Sequence, residues 1–305
     1  MQHFLSLTEH SAQDILHLLD LALTIKQDFK MGSGKPLLQG KTLAMVFQKP
    51  SLRTRVSFDM AMIQLGGQAL YLSPQEIQLG KRESVADVSR VLSRYVDGIM
   101  ARVFAHDDIL ELAKYASVPV INGLSDLNHP CQGLADLLTI VEHNGSVQGQ
   151  RIVFIGDGNN VARTLMFGAA LLGADFVAAS PEAYVLADND IKLARQYAES
   201  SGGKVTLIGD PMKAVKGANV IYTDTWTSMG QEMEAEERRK SFARYQVNES
   251  LVSLSAKDCI VMHCLPAHRG EELTDQVADG PNSVIFDQAE NRLHAQKAIL
   301  VALMG

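Results

Sequence analysis

Short apolar runs alternate with helix-length amphipathic segments along almost the whole chain, and this alternation restricts the folds that the chain can adopt. A first series has strand candidates at residues 42–47, 69–72, 98–103 and 118–121. A second series has candidates at residues 151–155, 176–180, 204–208, 219–223, 259–262 and 283–286. Strands that alternate with helices predict mostly parallel sheets flanked by helices. The fold class predicted from this pattern is therefore α/β, with two domains.

The junction between the domains is predicted near residues 134–146. A helical segment there ends at Asn144-Gly145-Ser146, a natural stop signal, and 305 residues are enough for two separate cores. We expect a first domain over residues 1–137, onto which a C-terminal helix over 290–305 packs back, and a second domain over 138–289. Ligands of parallel sheets bind beyond the carboxyl ends of the strands, so we expect the active site in the cleft between the domains.

Composition and charge exclude several classes of protein. Hydrophobic residues make up 46% of the chain and charged residues 21%, which is typical of a soluble globular protein. The net charge of −7 argues against a nucleic-acid partner. Three cysteines without a CxxC pair do not suit a disulfide framework, and we find no leader-like start and no apolar run of membrane-spanning length. A cytoplasmic protein without a membrane partner is expected.

The segment Ser51-Leu52-Arg53-Thr54-Arg55 lies between an apolar run and a helix-like stretch. A strand, a turn after Pro50 and a helix start are the expected local order. This order brings two hydroxyls, two guanidinium groups and the N–H groups of a helix N-terminus together, which favours a phosphate dianion. A capped helix with solvated arginines is the alternative, and the segment alone leaves it open.

A second segment, His129-Pro130-Cys131-Gln132, follows the apolar run at 118–121 and a polar loop. Proline favours the first helical position, so His129 is predicted at the N-cap and Gln132 in the first turn. A helix N-terminus disfavours a protonated histidine, and a neutral His129 can donate a hydrogen bond to a carbonyl oxygen. A histidine that merely caps its own helix explains the segment equally well.

The segment Gly156-Asp157-Gly158-Asn159-Asn160 follows a predicted strand and resembles a dinucleotide-binding turn only poorly. Val161 occupies the third glycine position, and the next strand ends at Ala179-Ser180 without an acidic residue. The two asparagines offer paired donors and acceptors that suit the carboxylate or ammonium group of an amino acid. Ordinary turn chemistry is the alternative.

Two further strand ends carry candidate residues. Asp224 leads into a loop at 226–232 and could pair with a cationic amine, although a strand-end aspartate is commonly structural. His263-Cys264-Leu265-Pro266 would place Cys264 beside that acid, unless the cysteine is simply a buried apolar residue. No spacing supplies three or four zinc ligands, so no metal is predicted. The last helix is expected to begin at Glu290-Asn291-Arg292, with its arginine either directed to the cleft or solvated.

Taken together, these segments resemble the hallmark segments of the aspartate/ornithine carbamoyltransferase family in their order and spacing. The resemblance covers essentially the whole chain and also includes Gln78–Ser84, Gly156–Asn160 and Asp224–Glu232. The Cys264-Leu265 pair and the Ser228-Met229-Gly230 loop are similar to the members that act on ornithine. The chain departs from the usual pattern at Leu52, commonly threonine, and at Gln48, commonly glutamate. Leucine costs little at position 52 if the contact there is made by the backbone N–H.

The resemblance implies a transfer of the carbamoyl group from carbamoyl phosphate to the δ-amine of L-ornithine. The products are L-citrulline and phosphate, in either arginine biosynthesis or arginine degradation. N-acetylornithine or putrescine as acceptor is the alternative. The family implies no cofactor, a carbamoyl phosphate-binding first domain, an ornithine-binding second domain and a homotrimer.

Residue roles follow from the same resemblance. Carbamoyl phosphate is expected to contact Ser51, Leu52, Arg53, Thr54, Gln78, Arg102, His129, Gln132, Cys264, Leu265 and Arg292, with Gln78 supplied by a neighbouring subunit. Ornithine is expected to contact Asn160, Asp224, Ser228 and Met229. The catalytic residues are expected to be Arg102, His129, Cys264 and Arg292.

Two rival functions belong to other classes. A nucleotide-dependent dehydrogenase would use the turn at 156–160, but the missing glycine and the missing acid disfavour it. A non-catalytic amino-acid-binding regulator would keep the cleft, yet it would have little use for the segment at 51–55 beside His129.

Overall fold

The computed structural model of the chain describes residues 1–227 and 231–305. The chain divides into two compact units, one formed by Met1–Leu138 and Glu290–Gly305 and the other by Thr139–Ala289. Within the described ranges, none of the helices combines the length and the apolar character needed to cross a membrane.

The first unit contains a parallel sheet with helices around it. Its strands are β1 (Thr42–Phe47), β2 (Gln68–Leu72), β3 (Gly98–Arg102) and β4 (Val120–Leu124). Its helices are α1 (Ala12–Lys30), α2 (Leu52–Gln64), α3 (Pro74–Ile77), α4 (Val85–Leu92), α5 (His106–Tyr115) and the first part of α6 (Pro130–Asn144), and a 3-10 turn covers Leu7–Glu9. Each predicted strand of the first series is confirmed, with ends that differ from the prediction by at most three residues.

The order of strands in this sheet is β2-β1-β3-β4. From β1 the chain first adds β2 on one side and later adds β3 on the other side of β1. The order in which strands are added therefore changes direction between β1 and β3, although all strands are parallel. Phe47 at the end of β1 is in register with Arg102 at the end of β3. Binding sites of parallel sheets form where the direction reverses, beyond the carboxyl ends of the strands. The segment at 51–55 and Arg102 both occupy that position.

Four helices of the first unit, α1 to α4, begin after a serine whose side chain caps the helix. Ser11 and Asp14 form a capping box at the start of α1, and Ser51 caps α2 with its side chain. The core below the sheet consists of buried aliphatic side chains from strands and helices, among them Val46, Ile99, Val103, Ile109, Leu112 and Val120. This packing fixes the sheet edge on which the segment at 51–55 lies.

The second unit contains another parallel sheet. Its strands are β5 (Arg151–Ile155), β6 (Asp175–Ala179), β7 (Lys204–Leu207), β8 (Val220–Thr223) and β9 (Ile260–His263). The helices that follow α6 are α7 (Asn160–Leu171), α8 (Asp188–Ser201), α9 (Pro211–Ala214), α10 (Ala235–Phe242), α11 (Glu249–Val252), α12 (Asp275–Ala278) and α13 (Ile285–Met304), of which residues from Glu290 onward belong to the first unit. Single 3-10 turns cover Glu182–Tyr184, Glu232–Glu234 and Ala243–Tyr245.

The strand order in the second sheet is β7-β6-β5-β8-β9, and the order in which strands are added changes direction between β5 and β8. Ile155 pairs with Thr223, and Thr223 pairs with His263, so β5, β8 and β9 end side by side. The core contains Val153, Ile221, Val261, Trp226 and Phe242, with further buried apolar residues around them. The α/β class with parallel sheets flanked by helices, predicted from the alternation, is confirmed.

The strand predicted at 283–286 is wrong. Ser283 makes only an isolated bridge to Val261, and α13 begins at Ile285. Short apolar runs do not distinguish a strand from the first turn of a buried helix. The prediction that the last helix begins at Glu290-Asn291-Arg292 is wrong for the same reason. Arg292 lies in the helix interior, where its side chain is 3% exposed.

Candidate functional site

The N-terminus of α2 is built as expected from the segment at 51–55. Ser51 Oγ accepts a hydrogen bond from Thr54 N at 3.3 Å and lies 3.1 Å from Thr54 Oγ1. The N–H groups of Leu52 and Arg53 belong to the first helical turn, which has no intrahelical acceptor. Dipole and donors together make this end of α2 suitable for an anion.

Arg292 reaches this helix from α13 within the first unit. Its Nη2 donates to Thr54 Oγ1 at 2.9 Å, and its Nη1 donates to Gln132 Oε1 at 3.2 Å. Gln132 in turn donates to Asp136 Oδ1 at 2.8 Å, which fixes the orientation of its amide. The structure therefore joins three of the predicted carbamoyl phosphate residues, which are 238 positions apart at most, in one buried hydrogen-bonded group.

His129 is buried among cations. Burial is the main cause that lowers the pKa of its imidazole well below the usual value, and nearby positive charges add to the effect. These charges belong to Arg292, Arg102, Lys49 and Arg53. His129 is therefore held as a neutral imidazole near pH 7, with burial as the main cause and the positive charges of three arginines and Lys49 adding to it.

Lys49 belongs to the same group of cations and was not predicted. Burial and, to a lesser extent, the charge of Arg102 lower the pKa of its ammonium group to about 8, against an opposing effect of Asp126. Its Nζ lies 4.9 Å from the centre of the Phe104 ring. A single lysine before Pro50 carries no motif of its own, so only the three-dimensional arrangement reveals it.

The two departures from the family pattern have different surroundings. The side chain of Leu52 is 76% exposed at the start of α2, so a ligand contact at this position is left to its backbone N–H. Gln48 donates to Asp108 Oδ2 at 2.8 Å and accepts from Phe104 N at 2.7 Å. Glutamate at position 48 would keep the second bond but would repel Asp108, so glutamine is the residue that suits both partners.

Gln78, expected to act from a neighbouring subunit, ends α3 in the left-handed conformation at φ 41°. Its side chain is exposed and donates to Gln75 O at 3.3 Å.

The cysteines differ in their surroundings. Burial raises the pKa of Cys131 to about 12, and its thiol donates to Asn122 O at 3.3 Å. Burial also raises the pKa of Cys259. Cys264 instead donates to a carboxylate, at 3.0 Å from Asp224 Oδ1. Cys131 and Cys259 are therefore structural thiols, and Cys264 belongs to a polar group.

That polar group forms where β5, β8 and β9 end in the second unit. Asp224, which is 6% exposed, accepts hydrogen bonds from Cys264 Sγ at 3.0 Å, Thr225 N at 2.8 Å and Asn159 Nδ2 at 2.8 Å. Asn159 caps α7 by accepting from Val161 N and Ala162 N. Asn159 therefore contacts Asp224, and Asn160, which the resemblance predicts to contact ornithine, is the first residue of α7.

His263 supports the loop that follows β9. Its Nδ1 accepts from Leu265 N at 2.9 Å, which places the ring proton on Nε2, directed at Glu272 Oε1 at 3.0 Å. Both side chains are fully buried, and Glu272 also accepts from His268 N at 2.7 Å. These bonds hold Leu265 at φ 58° and thereby orient the adjacent Cys264.

Side-chain atoms of Asp224, His263 and Cys264 that can ligate a metal lie within 4.8 Å of one another. Both nitrogens of His263 are already hydrogen bonded. A metal would have to displace either Glu272 or the Leu265 amide, so the donor set does not fit a resident ion without rearrangement.

The turn at 156–160 does not accommodate a dinucleotide. Gly158 N donates to Tyr184 O at 2.8 Å, and a Cβ on Gly158 would lie 2.5 Å from Leu186 N. The chain after β6 thus fills the space beside the turn, where a pyrophosphate would need to approach. Together with Val161 and the missing acid, this disfavours the dehydrogenase.

The structure places the other predicted residues as follows. Arg102 ends β3 and is 8% exposed, Arg53 lies in the first turn of α2, and Leu265 is half-buried after β9. Ser228 and Met229, predicted to contact ornithine, lie outside the described residues.

Comparison with known proteins identifies the two parts of the chain. The carbamoyl-P binding domain of aspartate/ornithine carbamoyltransferases matches residues 2–142, and the Asp/Orn binding domain matches residues 148–303. These matches define a carbamoyltransferase with both of its domains. The chain belongs to the aspartate/ornithine carbamoyltransferase family.

Relatives within the family match this chain over nearly its whole length. The anabolic ornithine carbamoyltransferase of Pyrococcus furiosus is 59% identical over 301 residues, which cover 99% of this chain and 96% of that protein. The ornithine carbamoyltransferase of Bacillus subtilis is 54% identical, covering 98% and 93%.

Solved structures agree. The Pyrococcus furiosus ornithine carbamoyltransferase superposes with a TM-score of 0.97 at 58% identity, covering 100% of this chain and 97% of that one. The anabolic ornithine carbamoyltransferase of Campylobacter jejuni gives 0.94 at 42% identity, covering 99% of each chain.

Proposed function

We propose that the protein is an ornithine carbamoyltransferase, which transfers the carbamoyl group of carbamoyl phosphate to the δ-amine of L-ornithine. The products are L-citrulline and phosphate. Full-length identity of 59% to a protein with that name supports the proposal, and so do two sets of residues at the reversal points of the two sheets.

Carbamoyl phosphate is assigned to the first unit. Its phosphate binds at the start of α2 to Ser51, Arg53, Thr54 and the N–H of Leu52, with Gln78 from a neighbouring subunit. Arg102, His129, Gln132 and Arg292 bind the carbamoyl group. As the amine attacks, negative charge develops on the carbonyl oxygen, and the arginines and the neutral imidazole N–H stabilise it. Because the arginines are already held in place, they do not have to reorganise when that charge appears, and the activation barrier of the transfer is lower.

Ornithine is assigned to the second unit. The Asp224 carboxylate and the asparagines after β5 bind its charged groups, together with Ser228 and Met229. Cys264 and Leu265 line the reacting carbon, and Cys264 orients the δ-amine without forming a covalent intermediate. The δ-amine must attack in its neutral form. Binding both substrates together contributes roughly 7–11 kcal/mol through orientation.

The observation that carries the proposal is the surroundings of His129. A buried neutral imidazole among four cations has little use in a binding module, whereas a carbonyl that gains negative charge requires such donors. N-acetylornithine remains the second candidate acceptor because Leu52 is similar to the members that use it.

A colorimetric citrulline assay with a panel of amines tests the function. We expect carbamoyl phosphate and L-ornithine to give citrulline and phosphate in equal amounts, with little product from N-acetylornithine, putrescine or L-aspartate. Turnover of one of the other amines in preference to ornithine would transfer the assignment to that acceptor, and no turnover of any amine would refute it.

We further propose a homotrimer in the cytoplasm that serves arginine biosynthesis. The anabolic relatives support the biosynthetic role. An apolar stripe on α2, exposed in the single chain, supports an interface there, and it consists of Leu52, Val56, Met60 and Ile63. Light scattering at catalytic concentrations is expected to give about three times the chain mass, whereas a monomeric mass would exclude a trans contribution of Gln78.

A further inference from the structure

Arg238 is a buried arginine on α10, a helix whose other charged side chains are largely exposed. Its side chain is 6% exposed, compared with 56% for Arg239 and 76% for Lys240 on the same helix. A buried guanidinium is costly unless it is paired and hydrogen bonded, so its partners indicate what it does.

Its partners lie on three different segments of the second unit. Nη1 donates to Asp157 Oδ2 at 2.9 Å and to Trp226 O at 2.9 Å, and Nε donates to Glu234 Oε2 at 3.0 Å. The guanidinium also lies 4.7 Å from the centre of the Tyr184 ring. One planar group therefore joins the loop after β5, the loop after β8 and the turn before α10.

Two of these segments lead to the proposed ornithine site. Asp157 is two residues before Asn159, which donates to Asp224 at 2.8 Å. Trp226 is two residues after Asp224 itself. Glu234 is the residue directly before α10, so the same guanidinium joins the loop after β8 to the start of that helix.

The charges around Asp157 explain why this carboxylate needs an arginine as its partner. Burial raises the pKa of Asp157, the positive charge of Arg238 opposes this effect, and the charges of Asp224 and Glu234 add to it. Without Arg238, a buried carboxylate would face the Asp224 carboxylate without compensation. Asp157 would then take up a proton or move away with the loop after β5, and Asn159 on the same loop would move with it.

We propose that Arg238 is a positioning residue for the amino-acid substrate: it fixes the loops that carry Asn159 and Asp224 and joins them to the start of α10. It touches none of the reacting atoms. The proposal rests on the assignment of ornithine to the second unit. Lysine is a poor substitute, because one ammonium group cannot reproduce the planar arrangement of donors from Nη1 and Nε.

The test compares Arg238→Lys, Arg238→Met and the double variant Asp157→Asn/Arg238→Met in the full-length protein. Lys240→Met is the matched control, since Lys240 is an exposed cation of α10 paired with Glu236 at 3.3 Å. For each variant, KM for ornithine, KM for carbamoyl phosphate, kcat and Tm are measured. The double variant removes the buried carboxylate left by Arg238→Met and so recovers folding if that variant alone is unstable.

We expect KM for ornithine to rise about tenfold or more in Arg238→Lys and in the double variant, as the loss of one charged hydrogen bond corresponds to about that change. KM for carbamoyl phosphate is expected to stay within about twofold, and Lys240→Met is expected to match the wild type. A merely structural role predicts a lower Tm with both KM values unchanged or changed equally, and either result would overturn the proposal. Citrulline formation by the wild type is scored separately, so its failure would be recognised as a failure of the proposed function.

Discussion

Replacing Asp224 by asparagine tests the proposed amine-binding role with almost no change in shape. The carboxylate accepts three hydrogen bonds, of which Oδ1 receives Thr225 N and Cys264 Sγ and Oδ2 receives Asn159 Nδ2. In Asp224→Asn, the amide oxygen can take the Oδ1 position and keep two of them. Its NH2 group then faces the NH2 group of Asn159, which cannot turn over because Asn159 Oδ1 already accepts from two backbone amides of α7.

The size of the effect follows from this geometry. Loss of one hydrogen bond to a charged group costs about 1.5–3 kcal/mol in stability, which lowers Tm by several degrees at about 2–4 °C per kcal/mol for a unit of this size. An ammonium group of ornithine loses a charged partner of the same kind, and this corresponds to about 10- to 150-fold weaker binding. Carbamoyl phosphate binding is expected to change by less than about twofold.

Titration calorimetry with each substrate, below the Tm of the variant, measures both affinities. Asp210→Asn is the control, because it removes one carboxylate from the second unit and keeps an N-cap side chain that can accept from Met212 N and Lys213 N. If Asp224→Asn lost stability but bound ornithine as tightly as the wild type, Asp224 would be a structural residue and the amine-binding role would be refuted.

Three further predictions concern the remaining residues. Arg53→Ala is expected to weaken carbamoyl phosphate binding by about 10-fold or more while Tm stays within a few degrees, and unchanged affinity in calorimetry would remove the phosphate role. The pKa of Lys49 is about 8 beside Arg102 and Asp126, so its ammonium group loses its charge as pH rises through 8. Wild-type affinity for the phosphate analogue phosphonoacetate should fall over that range, and this fall should disappear in Lys49→Met. The same pH dependence of affinity in both proteins would assign the effect to another group. Glu272→Gln, which removes the charged acceptor of His263 Nε2–H, is expected to lower Tm and raise KM for ornithine, and a lower Tm alone would limit Glu272 to folding.

The sequence predicted the parts of the fold that depend on local pattern. The alternation of apolar runs with helical segments located nine strands with ends at most three residues from the prediction, and the segment at 51–55 and Pro130 marked helix starts that the structure confirms. The error at 283–286 arose because a short apolar run has no period long enough to identify the first turn of α13.

The site divides in the same way. Residues within recognisable segments, such as Thr54, Gln132 and Cys264, were found because a motif carried them. Arg292 was found by resemblance, although the start of its helix was predicted at Glu290 and lies at Ile285. Lys49, Arg238 and Glu272 lie in no motif, and their importance comes from burial and from partners many positions away in the chain. Such partners are set by the order of the strands, which a single sequence does not specify.

The most direct test of the account follows the bond that the reaction forms. Carbamoyl phosphate labelled with ¹³C and L-ornithine labelled with ¹⁵N at the δ position are incubated with the protein and observed by NMR. The account predicts a new carbonyl resonance split by one-bond coupling to ¹⁵N, appearing at the rate at which phosphate is released. Phosphate release without that coupling, or a carbonyl attached to any other nitrogen, would contradict it.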